Sequence, residues 1–81
     1  MKKKRSLSLH GHRTSIALEP EFWQVLEDQA KKRKQSIARL LSQLDDQRVA
    51  EGNRSGLASY LRVWALKQVQ NTSPQSTLER P

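Results

Sequence analysis

Cysteine is absent from this chain of 81 residues, which excludes disulfide bonds and metal sites built on thiolates. Apolar residues are scarce, at 35% of the sequence, so one copy has little material for a core. Chains of this size are marginal as monomers and often depend on a disulfide, a metal or an oligomer. We therefore expect this chain to be stabilised by association with a second copy.

Long hydrophobic runs are absent as well. No stretch approaches the roughly 18 apolar residues of a membrane-spanning helix. Ser6, Ser8 and two histidines interrupt the residues that follow the basic N-terminus, which argues against a secretory signal. The sequence therefore predicts a cytoplasmic protein that does not bind membranes.

The sequence also lacks a catalytic constellation. It contains neither a Gly-rich phosphate loop nor a cysteine nucleophile. A transition metal needs three or four ligands, and no third ligand lies near His10 and His12 in the sequence. We interpret the two histidines as part of a polar linker, and we predict a protein that is not an enzyme and binds no cofactor or metal.

Acidic residues are missing from the first 13 positions, where the positive charge is concentrated. The net charge of the chain is +7, and acids and bases balance in residues 14–55. The basic residues of the first segment are Lys2, Lys3, Lys4, Arg5 and Arg13. We predict a flexible basic arm over residues 1–12, and nucleic-acid phosphates are the usual partner of such an arm.

Residues 13–18 alternate in polarity and predict one short β-strand. One face carries Thr14, Ile16 and Leu18, and the other carries Arg13, Ser15 and Ala17. Such a strand cannot stand alone, because its edges are unpaired and it buries few apolar side chains. The chain offers no other strand of comparable quality, so we predict that it pairs with the same strand of a second copy.

Residues 6–10 also alternate, but in the opposite phase. Leu7 and Leu9 occupy odd positions, whereas Ile16 and Leu18 occupy even ones. One continuous flat strand would place the two pairs on opposite faces. Gly11 is the natural position for a bend or turn that resets the phase. Two alternatives stay open, in which residues 6–10 form either a separate arm or a loose hairpin with 13–18.

Two helices are predicted directly after the strand. The first begins at Pro20, which suits the first helical position, and it ends in a basic run at residues 31–34 that contacts either phosphate or solvent. Ser36 is a typical N-cap for the second helix, and Gly52 is suited to its C-terminal end. The apolar faces of the two helices include Phe22, Leu26, Ala30, Ile37, Leu40, Leu41 and Leu44.

A third helix is predicted over about 56–70. It is apolar on more than one face, which indicates packing against both the domain and a neighbour. Residues 71–81 are rich in Ser, Thr, Gln and Pro, which is typical of a disordered tail. The predicted domain therefore extends over residues 13–70.

The order of strand, Pro-initiated helix, short turn and Ser-capped helix resembles the ribbon-helix-helix family of DNA-binding proteins. The resemblance rests on Arg-Thr-Ser-Ile-Ala-Leu-Glu-Pro-Glu-Phe-Trp at residues 13–23 and Gln-Ser-Ile-Ala-Arg-Leu-Leu at 35–41. The third helix, with Leu-Ala-Ser-Tyr-Leu-Arg-Val-Trp-Ala-Leu at residues 57–66, is similar to that of a bacterial subfamily. The resemblance implies a mainly α-helical fold in which one short N-terminal strand pairs across a homodimer and two to three helices follow.

The resemblance also implies where double-stranded DNA is bound. In the family, an antiparallel ribbon enters the major groove, its outward side chains contact bases, and the second helix contacts the backbone through its amino terminus. The base-contacting residues are then Arg13, Ser15 and Ala17. The phosphate-contacting residues are Ser36 and Ile37, to which the charge distribution adds Lys2, Lys3, Lys4 and Arg5. The implied dimer core contains Thr14, Ile16, Leu18, Phe22, Leu40, Leu41 and Leu44.

We therefore predict a homodimeric, sequence-preferring transcriptional repressor associated with the bacterial nucleoid. A tetramer on DNA is also compatible with this prediction. One alternative is an antitoxin that binds a toxin through the segment 71–81. A second alternative, of a different class, is a protein-interaction module that uses the third helix and does not bind DNA.

Overall fold

The computed structural model describes residues 1–72, which form a two-stranded antiparallel hairpin followed by three helices. The strands are β1 (Lys3–Leu9) and β2 (His12–Leu18), and the helices are α1 (Pro20–Lys32), α2 (Ile37–Ala50) and α3 (Leu57–Thr72). The prediction of a mainly α-helical fold with an N-terminal ribbon is confirmed.

The composition of the ribbon differs from the prediction. Strand β2 pairs with β1 of the same chain, in a register that runs from Lys3 opposite Leu18 to Leu9 opposite His12. The flexible arm expected over residues 1–12 is therefore wrong, because most of that segment is strand. Of the two alternatives for residues 6–10, the hairpin is confirmed.

A two-residue turn joins the strands. His10 and Gly11 have φ angles of 54° and 79°, the pair of positive values that defines a type I′ turn. With this turn length, odd-numbered residues of β1 face even-numbered residues of β2, as in Leu7 opposite Thr14. The change of phase at Gly11 therefore places Leu7, Leu9, Ile16 and Leu18 on one face. The interpretation of the histidines as a linker is wrong, because His10 lies in this turn and His12 begins β2.

The turn that follows α1 contains a lysine in a backbone conformation that is unusual for a non-glycine residue. Lys34 has a φ of 55°, in the left-handed region that glycine normally occupies at this position. Its N–H donates to the carbonyl of Lys31, and the N–H of Gln35 donates to that of Ala30, each at 3.0 Å. These two bonds form a Schellman motif, which turns the chain directly into α2.

Helix α2 has the caps that the sequence predicts. The hydroxyl of Ser36 accepts a 3.1 Å hydrogen bond from the backbone N–H of Arg39, so Ser36 is the N-cap. At the other end, Gly52 has a φ of 70° and donates to the carbonyl of Val49, while Asn53 donates to that of Arg48. The two helices therefore end in the same motif, with lysine in one and glycine in the other.

The connection from α2 to α3 is held by Arg48. Its guanidinium donates to the carboxylate of Asp45 at 2.9 Å and to the carbonyl oxygen of Ser55 at 3.0 Å. Helix α3 then continues through Thr72, two residues beyond the predicted boundary. The rest of the expected tail, residues 73–81, lies outside the described residues, as does most of the toxin-binding segment of the antitoxin alternative.

The core lies between the hairpin and the helices. Strand β1 contacts α2, and β2 contacts α3, so the inner face of the hairpin is covered. The largest completely buried side chains of residues 1–72 are Leu18, Leu26, Leu40, Leu41 and Leu61. Trp23, which lies off the predicted apolar stripe of α1, is 4% exposed, whereas Phe22 on that stripe is only half-buried. The buried face of α1 is therefore rotated toward Trp23.

Residues 1–72 contain neither a membrane-spanning helix nor a group of side chains arranged to bind a metal. Within residues 1–72, every helix is too short or too polar to traverse a lipid bilayer. In the same part of the chain, no group of three or more histidine, aspartate or glutamate side chains is arranged to hold a metal ion. The exposed face of the hairpin is polar and basic, which suits an anionic partner.

A candidate nucleic-acid interface on the hairpin

The outer face of the hairpin carries six side chains in three cross-strand pairs. The pairs are Lys4 with Ala17, Ser6 with Ser15, and Ser8 with Arg13. All six are exposed except Ala17, which is half-buried. The hydroxyl oxygens of Ser6 and Ser15 lie 3.4 Å apart, so the two rows of side chains form one continuous polar surface.

This surface is cationic. Within residues 1–72, neither Lys4 nor Arg13 forms a salt bridge, so both charges are open to an external anion. No acidic residue precedes Glu19 in the chain, and the outer face therefore has no carboxylate of its own. Phosphate oxygens and the acceptor atoms of base edges suit such a surface.

Arg5 lies on the opposite face from Lys4 and is already engaged. Its guanidinium donates to a carboxylate oxygen of Glu27 at 2.8 Å and lies 4.7 Å from the centroid of the Trp23 ring. A phosphate contact by Arg5 would compete with Glu27 for the guanidinium. Its position indicates that it anchors β1 to α1.

The backbone of β1 is held by the same helix. The indole N–H of Trp23 donates a 2.8 Å hydrogen bond to the carbonyl oxygen of Lys3. The side chains of Lys2 and Lys3 are exposed, at the start of the strand. Four basic residues near the N-terminus were predicted to contact phosphate. Three of them are accessible, namely Lys2, Lys3 and Lys4, whereas Arg5 is paired with Glu27.

The tip of the hairpin is held by α2. The Nε2 atom of His10 lies 3.2 Å from a carboxylate oxygen of Asp46 and 3.5 Å from one of Asp45. These contacts are ion pairs only when the imidazole is protonated. Together with the contacts of Lys3 and Arg5, they hold the first half of β1 and the turn after it against the helices.

The amino terminus of α2 is a second cationic region. Ser36 is exposed, and its hydroxyl already accepts from Arg39, while Ile37 is half-buried. The first N–H groups of a helix have no acceptor within the helix and suit a phosphate. Four exposed basic residues precede this terminus: Lys31, Lys32, Arg33 and Lys34. The guanidinium of Arg33 lies 5.2 Å from the Trp64 ring centroid, which directs it toward α3.

The residues predicted for a dimer core lie within one chain's own core. Ile16, Leu18, Leu40, Leu41 and Leu44 are buried without a second copy. Thr14 and Phe22 are half-buried. A charge placed at the buried Ile16 would therefore destabilise the single chain as well as affect any dimer contact.

The contacts between distant parts of the chain were not predicted from the sequence. Arg62 of α3 donates to Glu19, directly after β2, at 3.1 Å. A backbone hydrogen bond and the Arg62 contact lower the pKa of the Glu19 carboxyl below its usual value of 4.5. The outward position of Ser6 and Ser8 was also not predicted, although the odd-to-even change of phase on either side of Gly11 is a signal for it.

Comparison with known families identifies the fold. The model of the ribbon-helix-helix domain matches residues 2–69, which includes both strands and most of α3. This chain belongs to the ribbon-helix-helix domain family. Ribbon-helix-helix domains generally bind DNA and dimerise, and their family is generally one of DNA-binding regulators. The outer face of the hairpin is thus in the element that gives the family its name.

A solved structure gives a second comparison. The chain is similar to an uncharacterized protein from Bordetella pertussis Tohama I, with a TM-score of 0.73 and 31% sequence identity. The alignment covers 96% of this chain and 66% of the Bordetella chain, so this chain spans slightly less than two thirds of that protein. A comparison with curated proteins gave no match.

Proposed function

We propose that this ribbon-helix-helix chain is a sequence-preferring transcriptional repressor that binds double-stranded DNA through the outer face of its hairpin. One observation carries the proposal: the inner face of the hairpin buries Leu9, Ile16 and Leu18 against the helices, whereas the outer face is exposed, cationic and free of acids. The major groove admits a two-stranded β-ribbon, and such ribbons are known DNA readers. Repression would follow from occlusion of a promoter.

Three outward residues of β2 supply the base chemistry. Arg13 is suited to bidentate hydrogen bonds with the O6 and N7 atoms of guanine. The Ser15 hydroxyl is an adaptable donor and acceptor, and the methyl group of Ala17 matches the thymine methyl. Arg13 is exposed and forms no salt bridge within residues 1–72, so its guanidinium need not break an ion pair to reach a base.

Phosphate contacts would come from two regions of the chain. Lys2, Lys3 and Lys4 are exposed at the start of the ribbon. Ser36 and Ile37 present the amino terminus of α2, where the helix dipole and unpaired N–H groups favour an anion. These contacts would orient the ribbon on the duplex without reading its sequence.

Association of two copies is part of the proposal, because domains of this family generally dimerise. Of the side chains first assigned to the dimer core, Thr14 and Phe22 are half-buried and remain partly accessible to a second copy. On α3, Val63 is 53% exposed and Leu66 is 50% exposed, so both of these apolar side chains are available to a second copy.

Selection of bound sequences from a random DNA pool tests the function. We expect a palindromic consensus for the intact chain. In Arg13→Ala, we expect specific binding to weaken by about 1–3 kcal/mol and the preference at one base position to relax. Arg54→Ala is the matched control, since it removes the same charge from an exposed loop outside the hairpin. An equal loss on all sequences in Arg13→Ala would assign Arg13 to phosphate instead.

The protein-interaction alternative is favoured by the same exposed pair on α3. It predicts that the chain does not retard DNA at moderate salt concentration. It also predicts that Val63→Ser with Leu66→Ser abolishes partner binding while the fold is kept. Enrichment of a defined DNA sequence by the intact chain would exclude it as the main function.

A further inference from the structure

We propose that the cleft between the carboxyl end of α2 and the outer side of α3 binds a neutral, polyhydroxylated compound of the size of one sugar ring. The residues that line this cleft belong to the segment 47–68. They lie outside the hairpin and the amino terminus of α2, which carry the proposed contacts with DNA. The inference therefore goes beyond the proposed function and does not depend on it.

Two helices and the loop between them form the cleft. Its volume is about 370 Å³, within the range of about 300–1,000 Å³ that is usual for small-molecule sites. The carboxyl end of α2 supplies Gln47 and Glu51, the loop supplies Asn53, and α3 supplies Tyr60 and Trp64. Since Tyr60 and Trp64 are four residues apart on a helix, both rings lie on the same face of α3.

The carboxylate of Glu51 is held in position in this cleft. The hydroxyl of Tyr60 donates to it, 3.2 Å from each carboxylate oxygen, and the side-chain amide of Gln47 donates to one of these oxygens at 3.2 Å. Burial and the neighbouring Glu51 raise the pKa of the Tyr60 hydroxyl above its usual value of 10.0, so this group is protonated at neutral pH. A carboxylate has about four acceptor sites, and the Tyr60 oxygen can also accept. The network can therefore bind further hydroxyl groups.

Trp64 supplies an aromatic wall. Its ring is half-buried, borders the cleft and packs against the core. The guanidinium of Arg33 lies 5.2 Å from the ring centroid, which further restricts the orientation of the indole. Val63, one residue before it, adds an apolar side chain to the same lining. A surface of this kind suits the C–H groups of a sugar ring, while the hydroxyls of the sugar reach the polar groups beside it.

The charges of the lining favour a ligand without net charge. Among the described residues that line the cleft, Glu51 and Lys67 alone are ionised at neutral pH, and their charges are opposite. An anion attracted by Lys67 would meet the carboxylate of Glu51, and a cation would meet the reverse combination. The other polar side chains are amides and hydroxyls, which donate and accept as alcohol groups do. A neutral compound with several hydroxyl groups is therefore the best match.

Titration of the full chain with neutral sugars tests the proposal. The probes are D-glucose, D-galactose and D-mannose, and the measurement is NMR of the two indole N–H signals. We expect at least one sugar to shift the Trp64 signal saturably, with a dissociation constant on the order of millimolar. The Trp23 signal is the internal control and should not move, because that indole is 4% exposed and donates to the Lys3 carbonyl.

Charged relatives of the best neutral sugar test the class of ligand. The corresponding amino sugar, in its protonated form, and the corresponding uronate have the same ring with one charge added. We expect both to bind more weakly than the neutral sugar. Binding of either one that is as tight as that of the neutral sugar overturns the assignment to neutral compounds. Cyclohexanol keeps a six-membered ring with a single hydroxyl, and equal binding by it would assign the cleft to apolar compounds instead.

Two substitutions locate the bound sugar while leaving Trp64 as the reporter. Glu51→Gln removes the charge and keeps the length of an exposed side chain, and Tyr60→Phe removes the hydroxyl and keeps the ring. We expect Glu51→Gln to raise the dissociation constant about five- to tenfold, since hydrogen bonds to an ionised group are roughly twice as strong as neutral ones. Tyr60→Phe should weaken binding in the same direction. Glu21→Gln, at an exposed carboxylate of α1 outside the cleft, is the matched control and should leave the constant unchanged.

Two results would overturn the inference. One is a Trp64 signal that none of the three neutral sugars moves. The other is a saturable shift with the same dissociation constant in Glu51→Gln and in the natural chain, which would place the sugar away from the Glu51 carboxylate. DNA selection by the natural chain bears on neither result, so the sugar site and the proposed function can fail separately.

Discussion

The indole N–H of Trp23 and the carbonyl oxygen of Lys3, 2.8 Å apart, join α1 to the first residue of β1. The same ring lies 4.7 Å from the Arg5 guanidinium, so one side chain holds both the backbone and a side chain of the strand. Strand β1 begins with charged residues that have low strand propensity. Its first half therefore depends on α1 as well as on pairing with β2.

Trp23→Phe tests this dependence. The variant keeps an aromatic ring in the core but loses the donor, which leaves the Lys3 carbonyl without that bond. We expect the free energy of unfolding to fall by about 1–3 kcal/mol in chemical denaturation. Amide hydrogen exchange at residues 3–5 should accelerate. Trp64→Phe, on a half-buried indole of α3, is the control, and equal exchange at residues 3–5 in both variants would contradict the anchoring role.

The ends of α1 and α2 provide an opposed pair of substitutions. Lys34 and Gly52 occupy the same position of the same motif, with φ angles of 55° and 70°. Left-handed backbone costs a non-glycine residue about 1–2 kcal/mol. We expect Lys34→Gly to raise the free energy of unfolding by about 1 kcal/mol and Gly52→Ala to lower it by a similar amount, both measured by chemical denaturation. No side-chain clash complicates the second change, since a Cβ at Gly52 meets nothing within 4 Å.

The contact between Glu19 and Arg62 predicts a dependence of stability on pH. The pKa of the Glu19 carboxyl is lowered from 4.5 by a backbone hydrogen bond and by Arg62. Its contribution to stability is therefore present above about pH 4.5 and is lost as the pH falls through the lowered folded-state pKa. We expect Glu19→Gln to be less stable than the natural chain at neutral pH and to approach it in stability once the pH is well below that range. Thermal unfolding measured at about pH 7 and about pH 3 checks this.

Direct titration of the carboxyl provides the control for that experiment. We expect Arg62→Ala to raise the pKa of Glu19. NMR of the side-chain carboxyl carbon measures this pKa. If the pKa does not change, the backbone hydrogen bond alone accounts for its lowering, and the link between α3 and the strand–helix junction contributes little.

The helix ends were predictable because their signals are local. Pro20, Ser36 and Gly52 each act through their own backbone or side chain within a few residues, and each stands where the sequence predicts. The buried face of α1 was not predictable in the same way. Phe22 and Trp23 are neighbours with similar apolar character, and the position of β1 decides which of them is buried.

Strand β1 was not predicted as a regular strand because its pairing is not visible in its own residues. Its apolar content is limited to Leu7 and Leu9, and its first three residues are basic. The pattern becomes informative only when a two-residue turn is assumed, since that turn faces odd positions toward even ones. His10 is an unusual residue at positive φ, so the pair His10 and Gly11 does not readily predict a two-residue turn. In β2, by contrast, six residues alone show the alternation of polar and apolar side chains that predicts a strand. The base-contacting role of Arg13, Ser15 and Ala17 stays a prediction.

The last prediction concerns Lys4 and Arg5, two basic residues of β1 whose side chains lie on opposite faces of the hairpin. Lys4 points outward and forms no salt bridge within residues 1–72, whereas Arg5 is bound by Glu27 on the other face. We expect Lys4→Ala to reduce the slope of the logarithm of the binding constant against the logarithm of salt concentration by about 0.9, the value for one lost phosphate contact. Arg5→Gln should leave the slope nearly unchanged, because that charge is compensated within the chain. If the two variants reduce the slope equally, the Arg5 charge contributes to DNA binding despite its pairing with Glu27.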